Sequence, residues 1–225
     1  MEPMERIARA LGHDFAAPGL LREALTHRSA GAANNERLEF LGDALLNSII
    51  AIALYRLRPA SPEGELSRLR AALVRGETLA GIARELGLGE ALLMGEGERK
   101  SGGHRRASIL ADAFEALVGA MFLDSDFETV RVRVRALFAT RLADLPNADE
   151  LKDPKTRLQE YLQSRRYSPP AYEVIEVTGA DHEQRFTVRC RIEALDCERH
   201  ATARSRRKAE QQAALTCLDA LAERG

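Results

Sequence analysis

Apolar residues recur at intervals of three and four through most of the first 145 residues, the spacing of helices that bury one face. Glycine and proline separate the segments that carry this pattern. The predicted helical segments are 19–29, 38–55, 66–87, 107–124 and 127–145. The periodicity therefore predicts an all-α N-terminal part that ends near Pro146.

A different pattern begins after residue 153. Residues 153–166 are predicted to form a helix, with Asp153 as its N-cap and Pro154 in its first turn. Polar and apolar residues then alternate, as in strands, before a helical pattern returns at residue 205. The three predicted strands lie within 170–179, 183–194 and 197–205. The order α-β-β-β-α predicts a small α+β module.

We place the two domains at residues 1–147 and 154–225, joined by the short polar linker 148–153. A chain of 225 residues is long enough for two ordinary domains. Its 45% hydrophobic and 30% charged residues are typical of a globular protein.

Several features favour a cytoplasmic protein with no membrane partner. The first residues, MEPMERIARALGHDF, include acids and lack the apolar core of a secretory signal. No uninterrupted apolar stretch approaches the roughly 18 residues that span a bilayer. Cys190, Cys197 and Cys217 are odd in number and lack CxxC spacing, which disfavours both a disulfide framework and a zinc site.

The net charge of −1 gives no indication of a nucleic-acid partner, but the charge is unevenly distributed. Residues 152–225 contain 14 basic and 12 acidic residues, whereas residues 1–151 contain 19 basic and 22 acidic residues. A slightly basic C-terminal part thus follows an acidic N-terminal part.

Carboxylates interrupt two of the most apolar helical segments. Glu36, Glu39 and Asp43 recur at i, i+3 and i+7, which places them in a narrow stripe on one helix. Asp112 and Glu115 stand at i and i+3 in the segment 107–124. Buried like charges raise one another's pKa unless a cation compensates. Two apolar helices that each present inward acids therefore indicate a cation site.

The alternative interpretation is that these acids cap helices and pair with arginines such as Arg37 and Arg106. If they do hold a cation, a ligand set of carboxylates alone favours Mg²⁺ or Mn²⁺ over zinc. Mg²⁺ held in this way generates a hydroxide nucleophile and stabilises charge in phosphoryl chemistry. The residues by themselves do not indicate the substrate.

The segment NERLEFLGDALL at 35–46 is very similar to the signature of the ribonuclease III family, the endonucleases that cut double-stranded RNA. The similarity extends to LGHDFAAPGLLREALTHRS before it and to EGELSRLRAALVRGETLA and KSGGHRRASILADAFEALVGAMFLDSD after it. Residues 153–225 resemble a double-stranded RNA-binding domain. The layout resembles a bacterial enzyme, not a Dicer-like protein or a short form that lacks the RNA-binding domain.

The resemblance implies a role for each acid. Glu39, Asp43, Asp112 and Glu115 match the family's four active-site acids, with Asp43 and Glu115 catalytic. All four would serve as ligands of Mg²⁺, for which Mn²⁺ substitutes, and Asp43 would hold the metal directly or position its water. Glu36 matches an acid that contacts RNA.

The resemblance also implies a homodimer whose two sites cut opposite strands, leaving 3′ overhangs with 5′-phosphate and 3′-hydroxyl ends. Phe40 matches the aromatic residue of the dimer interface, although an ordinary core phenylalanine would fit the same pattern. Glu63 matches another acid near the RNA. The implied substrates are precursors of ribosomal RNA and some messenger and transfer RNA precursors.

The second domain contains three groups of candidate RNA contacts. Ser205, Arg206, Arg207 and Lys208 begin the last helix, where backbone N–H groups also attract phosphates, although a solvated basic helix end is the alternative. His182, in a loop between strands, would donate to a 2′-hydroxyl group or be an ordinary surface residue. The third group lies on one face of the first helix and consists of Thr156, Gln159 and Glu160.

Because A-form RNA has a wide, shallow minor groove, such a domain is expected to recognise shape more than sequence. The sequence departs from the family pattern at Ala201 and Ala203, where glycines are common. Either the chain there avoids the backbone geometry that needs glycine, or RNA affinity differs.

The function predicted is that of a Mg²⁺-dependent endoribonuclease acting on double-stranded RNA. The alternative is a non-catalytic dimeric regulator that only binds such RNA. A third hypothesis, a DNA-binding protein, is disfavoured because the sequence lacks a recognisable DNA-reading motif.

Overall fold

A computed structural model of the protein describes residues 3–31, 33–147, 149–180 and 183–223. The chain divides into two compact units, Met1–Ala148 and Asp149–Gly225. The described residues of the first unit form α-helices and short 3-10 turns, and those of the second form an α-β-β-β-α domain. The predicted fold class is therefore confirmed.

The first unit contains ten α-helices among its described residues. They are α1 (Pro3–Leu11), α2 (Pro18–Ala24), α3 (Glu36–Leu57), α4 (Glu63–Val74), α5 (Gly76–Glu85), α6 (Leu88–Ala91), α7 (Glu96–Lys100), α8 (Ala107–Asp124), α9 (Phe127–Leu137) and α10 (Ala139–Ala143). Turns of 3-10 helix lie at Arg28–Ala30 and Gly103–Arg105. Helix α8 spans the same residues as the predicted segment 107–124.

Three segments predicted as continuous helices are in fact divided. In segment 19–29 the helix α2 ends at Ala24, and a 3-10 turn begins at Arg28. Segment 66–87 breaks at Arg75, whose extended backbone (φ −66°, ψ 148°) separates α4 from α5. Segment 127–145 breaks at Phe138, which is fully buried between α9 and α10. Leu73 and Leu79, on either side of Arg75, are both buried, so the spacing of apolar residues continues across that break.

The core of the first unit forms where α3 and α8 pack together. Leu46, Ile49 and Ile50 of α3 are at most 1% exposed, and 11 of the 18 residues of α8 are buried. Asp124 at the end of α8 ties this core to the chain after α1: it accepts hydrogen bonds from the backbone N–H of Ala17 at 2.8 Å and lies 2.8 Å from His13 Nε2.

The two helices cross with their backbones in direct contact. A Cβ atom added to Gly42 of α3 would lie 1.8 Å from the carbonyl oxygen of Glu115 in α8. A Cβ atom on Gly119 of α8 would lie 2.3 Å from the carbonyl oxygen of Leu38 in α3. Only glycine at both positions allows this approach, which brings the side chains that flank the crossing close together.

Helix α3 is also long and apolar enough to cross a membrane, by length and composition alone. It has 22 residues and a mean hydropathy of 1.5 over its most apolar window. The sequence analysis did not single it out, because Asp43 interrupts the apolar run. In this fold Leu46, Ile49, Ile50 and Leu54 are buried, so one face of α3 packs in the core, and 39% of its most apolar window is buried.

The second unit is a three-stranded antiparallel sheet with two helices. Its elements are α11 (Pro154–Ser164), β1 (Ala171–Thr178), β2 (Arg185–Ile192), β3 (Cys197–Ala203) and α12 (Arg206–Ala222). The strand order is β1-β2-β3. Register runs from Ala171↔Arg191 to Thr178↔Arg185, and from Phe186↔Ala203 to Ile192↔Cys197. Its core includes the three buried, free cysteines.

Part of the predicted linker 148–153 is joined to this second unit. The Asp153 side chain accepts a hydrogen bond from the backbone N–H of Lys155 at 2.9 Å, so Asp153 caps α11 as predicted. Lys152 Nζ lies 2.8 Å from a carboxylate oxygen of Glu160 in α11. The chain is therefore anchored to the second unit from Lys152 onward.

Ala201 and Ala203 lie within β3, where they pair with Val188 and Phe186 of β2. In the described part of the chain, the non-glycine residues with positive φ are Arg166 and Asp196 alone. Alanine is compatible with the extended backbone of a strand. The chain therefore avoids at these positions the geometry that would need glycine.

We expect Gly42→Ala to destabilise the first unit, because the added methyl group forces the two helix backbones apart. Overpacking of a core costs about 1–3 kcal/mol, and a backbone clash should reach the upper end of that range. Urea denaturation would measure the loss. The control is Gly19→Ala in α2, where the new methyl group meets no atom within 4 Å. Equal stability of the two variants would contradict the role of the crossing.

Candidate active site

Three carboxylates meet beside the crossing of α3 and α8. Glu39 comes from α3, and Asp112 and Glu115 come from α8. Each offers an oxygen atom, and these atoms all lie within 4.8 Å of one another. All three residues are half-buried. Their spacing in two apolar helices, and then the family resemblance, predicted that these acids form one site, and the structure brings them together.

Asp43, the fourth acid, is exposed, whereas the other three are half-buried. Gly42 occupies the side of α3 that contacts α8, and the next residue along the helix points about 100° away. Asn47 Nδ2 donates to Asp43 Oδ1 at 2.9 Å and so orients the carboxylate. Asp43 is close enough to raise the pKa of Glu39 and Glu115.

The carboxylates raise one another's pKa. Burial, with the negative charges of Asp43, Glu39 and Asp112, raises the pKa of Glu115 to about 8. Burial also raises the pKa of Glu39, as does the charge of Asp112. The pKa of Asp112 is raised by burial and held down in part by His27 and Arg28. Without a cation, Glu115 therefore retains its proton at neutral pH.

Of the five acids singled out in the sequence, Glu36 pairs with an arginine, as the alternative interpretation predicts, whereas the other four do not. Arg106 Nη1 lies 3.0 Å from Glu98 Oε1, and Arg28 Nη1 lies 3.7 Å from Glu36 Oε1. Among the residues that the structure describes, no Lys, Arg or His nitrogen lies within 4.0 Å of a carboxylate oxygen of Glu39, Asp43, Asp112 or Glu115. An unpaired carboxylate cluster of this kind has the donor set of a hard divalent cation. The residues present therefore fit a metal ion.

A cleft of about 340 Å³ opens beside Glu39 and Asp112. Its walls also carry hydrogen-bond donors that the sequence analysis did not assign to a site, namely His27, Arg28, Asn35 and Ser108. The sequence signal was available: the polar run THRS directly follows the apolar segment of α2. Without the fold, nothing in that run indicates which acids it faces.

Phe40 is not a core residue, since 81% of its surface is exposed. It stands beside an apolar groove of about 560 Å³ lined by Leu20, Leu38, Leu41 and Leu123. Leu123, which the sequence analysis did not single out, is itself 54% exposed. A protruding ring next to an apolar groove forms a surface that is incompletely covered in the isolated chain.

Glu36 and Glu63, the two further acids, are both exposed. Glu36 lines both the cleft and the groove beside Phe40. Glu63 begins α4, where Ser67 Oγ donates to its carboxylate at 2.6 Å. Neither residue belongs to the cluster of three acids.

The basic residues at the start of α12 differ in how far acidic side chains already pair with them. Ser205 caps the helix, with its hydroxyl accepting from the backbone N–H of Lys208 at 3.3 Å. Arg206 Nε donates to Glu210 Oε1 at 2.9 Å, and Lys155 Nζ donates to Glu210 Oε2 at 2.6 Å. Arg207 and Lys208 are exposed. Arg206 is therefore paired with Glu210, a nearly buried acid that the sequence-based predictions did not include.

Three of the remaining RNA-contact candidates lie on α11. Thr156, Gln159 and Glu160 are exposed on one face of α11, as their spacing predicts, and Glu160 pairs with Lys152. His182 lies outside the described residues.

Comparison with known families now identifies the chain. Residues 17–142 match the family model described as ribonuclease-III-like, and residues 154–221 match the double-stranded RNA binding motif. The chain belongs to the ribonuclease III family. As a member of that family it is an endoribonuclease, and its second unit is a double-stranded RNA-binding domain.

Relatives in the ribonuclease III family match nearly the whole chain. Ribonuclease 3 of Nitrosococcus oceani is 56% identical over 217 residues, 96% of this chain and 93% of the relative. Ribonuclease 3 of Alkalilimnicola ehrlichii is 54% identical over 222 residues, 99% and 97% of the two chains. The nuclease domain of ribonuclease III from Campylobacter jejuni is 40% identical, with a TM-score of 0.61, and the match covers 63% of this chain and 99% of that domain.

The raised pKa of Glu115 predicts a pH-dependent stability of the metal-free protein. Its carboxyl group titrates near 4.5 in the unfolded chain and near 8 in the fold. Between these values the unfolded chain binds fewer protons, so the free energy of unfolding falls as pH rises. Glu115→Gln should therefore raise the melting temperature in EDTA at about pH 8.5 and leave it nearly unchanged at about pH 5.

The control for this prediction is Glu96→Gln, which makes the same chemical change at a side chain that is 90% exposed. Its effect on the melting temperature should be small and similar at both pH values. If Glu115→Gln behaved in the same way as this control, the carboxyl group of Glu115 would titrate normally in the fold.

Proposed function

We propose that this endoribonuclease depends on Mg²⁺, with Mn²⁺ as a substitute, and hydrolyses both strands of double-stranded RNA. The observation that carries the proposal is the cluster of Glu39, Asp112 and Glu115. Three half-buried carboxylates from two helices lie within 4.8 Å of one another without a positively charged partner. Such an arrangement repels itself unless a cation is bound.

Glu39, Asp112 and Glu115 would hold the metal ion, with Asp43 beside them. When bound, such an ion would lower the pKa of a coordinated water and would stabilise negative charge on the phosphate. Glu115 would give up its proton when the cation binds. Asp43, oriented by Asn47, would accept a hydrogen bond from the attacking water or complete the ligand set. Water attack that breaks the bond from phosphorus to the 3′ oxygen leaves 5′-phosphate and 3′-hydroxyl ends.

The second domain would bind double-stranded RNA by recognising the shape of the A-form duplex. Arg207 and Lys208 add positive charge to the backbone N–H groups at the start of α12, a favourable place for phosphates. Thr156, Gln159 and Glu160 would face a minor groove, and His182 would meet a 2′-hydroxyl group. Ser205 and Arg206 would act mainly by shaping the helix start, because Ser205 caps it and Arg206 is engaged by Glu210.

The enzyme would act as a homodimer. Phe40 and the groove lined by Leu20 and Leu123 lie on the same surface, so a twofold axis can place each ring in the partner's groove. The nuclease domain of ribonuclease III from Campylobacter jejuni contains a region involved in dimer formation. Two sites related by a twofold axis would cut the two RNA strands at offset positions, which leaves 3′ overhangs.

The natural substrates would be precursors of ribosomal RNA and some messenger and transfer RNA precursors, processed in the cytoplasm. The similarity to bacterial ribonuclease III supports this proposal, and no single residue of the site selects among these RNAs.

The decisive experiment incubates the purified full chain with an end-labelled RNA duplex of about two helical turns, in Mg²⁺ and in EDTA. We expect Mg²⁺-dependent cuts on both strands with 3′ overhangs for the wild type. Glu115→Gln should bind the duplex with unchanged affinity and cut it at least about 100-fold more slowly, whereas Glu96→Gln should cut normally. Wild-type protein that retards the duplex without cutting it would favour the binding-only regulator.

A second experiment tests the RNA-binding surface. The double variant Arg207→Ala/Lys208→Ala should bind duplex RNA more weakly and reduce the slope of log affinity against log salt by about 2, because each phosphate contact releases a counterion. The control, Arg189→Ala/Arg191→Ala, removes two charges from strand β2, whose alternating residues Val188, Cys190 and Ile192 face the core. An unchanged slope for Arg207→Ala/Lys208→Ala would remove these residues from the interface.

A further inference from the structure

His27 lies in the wall of the acidic cleft, and the mechanism proposed above gives it no role. It follows α2 and serves as the N-cap of the 3-10 turn Arg28–Ala30. It lines the cleft together with Glu39 and Asp112. The ring is half-buried. What distinguishes it from a surface histidine is the set of contacts that hold the ring.

One nitrogen of the ring is held as a hydrogen-bond acceptor. The backbone N–H of Ser29 donates to His27 Nδ1 at 3.2 Å, and Ser29 Oγ lies 2.8 Å from the same nitrogen. The backbone N–H of Gly95 donates to Ser29 Oγ at 3.0 Å, which leaves the hydroxyl hydrogen free to point at His27. With donors on Nδ1, the proton of the neutral ring belongs on Nε2.

A distant segment of the chain braces this arrangement. The backbone N–H of His27 donates to the carbonyl of Leu93 at 2.8 Å, and the N–H of Leu93 donates to the carbonyl of Leu25 at 2.8 Å. Gly95 follows directly, and a Cβ atom there would lie 2.6 Å from the carbonyl oxygen of Ser29. Only glycine lets its amide reach the serine hydroxyl, so residues 93–95 fix the histidine ring through Ser29.

The other nitrogen, Nε2, lies on the opposite edge of the ring from Nδ1 and therefore away from Ser29. Within the described part of the chain it has no hydrogen-bond partner, and no carboxylate oxygen lies within 4.0 Å of it. Asp112 is therefore near His27 but does not accept its proton. A held N–H donor in a cleft that also contains the guanidinium groups of Arg28 and Arg106 suits an anionic oxygen.

We propose that His27 Nε2–H donates a hydrogen bond to a non-bridging phosphate oxygen of the RNA strand that enters the cleft, and that Ser29 and Gly95 are positioning residues for this contact. The proposal rests on the proposed function, because it names a further group through which that same site holds its substrate. Ser29 never touches RNA in this arrangement and acts through the orientation and tautomer of the ring.

The test compares His27→Ala, His27→Gln and Ser29→Ala in the full chain, with Thr140→Ala as a control for loss of an exposed hydroxyl on α10. We expect kcat/KM for duplex cleavage to fall about 10- to 100-fold for His27→Ala, the effect of losing one hydrogen bond to a charged group. His27→Gln keeps a donor and should recover part of the loss. Ser29→Ala should lose about 3- to 10-fold and Thr140→Ala nothing.

Two readouts separate phosphate contact from a structural role. In methylphosphonate-substituted duplexes, replacing the contacted phosphate should slow the wild type about 10-fold but leave His27→Ala unaffected, whereas other positions should affect both equally. In nitrogen-15 NMR spectra of the protein without RNA, the His27 ring should show the Nε2–H tautomer in the wild type and a mixture in Ser29→Ala. The proposal would be overturned if methylphosphonate substitution and His27→Ala had additive effects on the rate at every phosphate. It would also be overturned if the His27 ring had the same tautomer in the wild type and in Ser29→Ala.

A measurement of metal binding distinguishes a phosphate contact by His27 from an effect of His27 on the metal site. His27→Ala should bind Mn²⁺ as tightly as the wild type in calorimetry, because His27 touches no carboxylate of the cluster. A loss of Mn²⁺ affinity equal to the loss of cleavage would mean that His27 acts through Asp112, and the phosphate contact would be wrong. If the wild type itself bound RNA without cutting it, the proposed function would fail. The methylphosphonate scan, read by binding affinity, would still report on His27.

Discussion

The candidate active site depends on the contact between two glycines. Gly42 and Gly119 let α3 and α8 cross with backbone touching backbone, and the carbonyl oxygen of Glu115 occupies the space where a side chain on Gly42 would lie. Glu39 precedes this crossing on one helix, and Asp112 and Glu115 precede it on the other. A larger residue at either glycine would widen the crossing and move these carboxylates apart. The lack of a side chain at Gly42 and Gly119 therefore sets the separation of the acids.

The same crossing creates an electrostatic conflict that a cation resolves. Burial beside apolar helices and the proximity of three negative charges raise the pKa of Glu115 to about 8. In the metal-free state the site therefore opposes folding as pH rises, and binding of a divalent cation would remove that cost. Functional centres commonly destabilise the protein in this way, because the residues that the chemistry needs are not those that give the best packing and hydrogen bonding.

The two units differ in both task and charge: the acidic first unit is the nuclease, and the slightly basic second unit binds RNA. The nuclease unit concentrates negative charge where the metal is proposed to lie and places His27, Arg28 and Arg106 along the cleft wall. The second unit is slightly basic and presents exposed cations at the start of α12. A net charge near zero thus arises from two surfaces with different tasks, which explains why overall charge was uninformative about RNA.

The sequence by itself determined the elements, because helices and strands follow local periods of about 3.6 and 2 residues. Together with the family resemblance, it also named Glu39, Asp112 and Glu115. Only the tertiary structure decided that Asp43 is exposed, that Glu210 engages Arg206, and that residues 93–95 hold His27 against the cleft. Each of these depends on contacts that periodicity does not encode, most of them between residues far apart in the chain. The helix breaks at Arg75 and Phe138 escaped detection for a related reason: a continued apolar spacing does not reveal a change in chain direction.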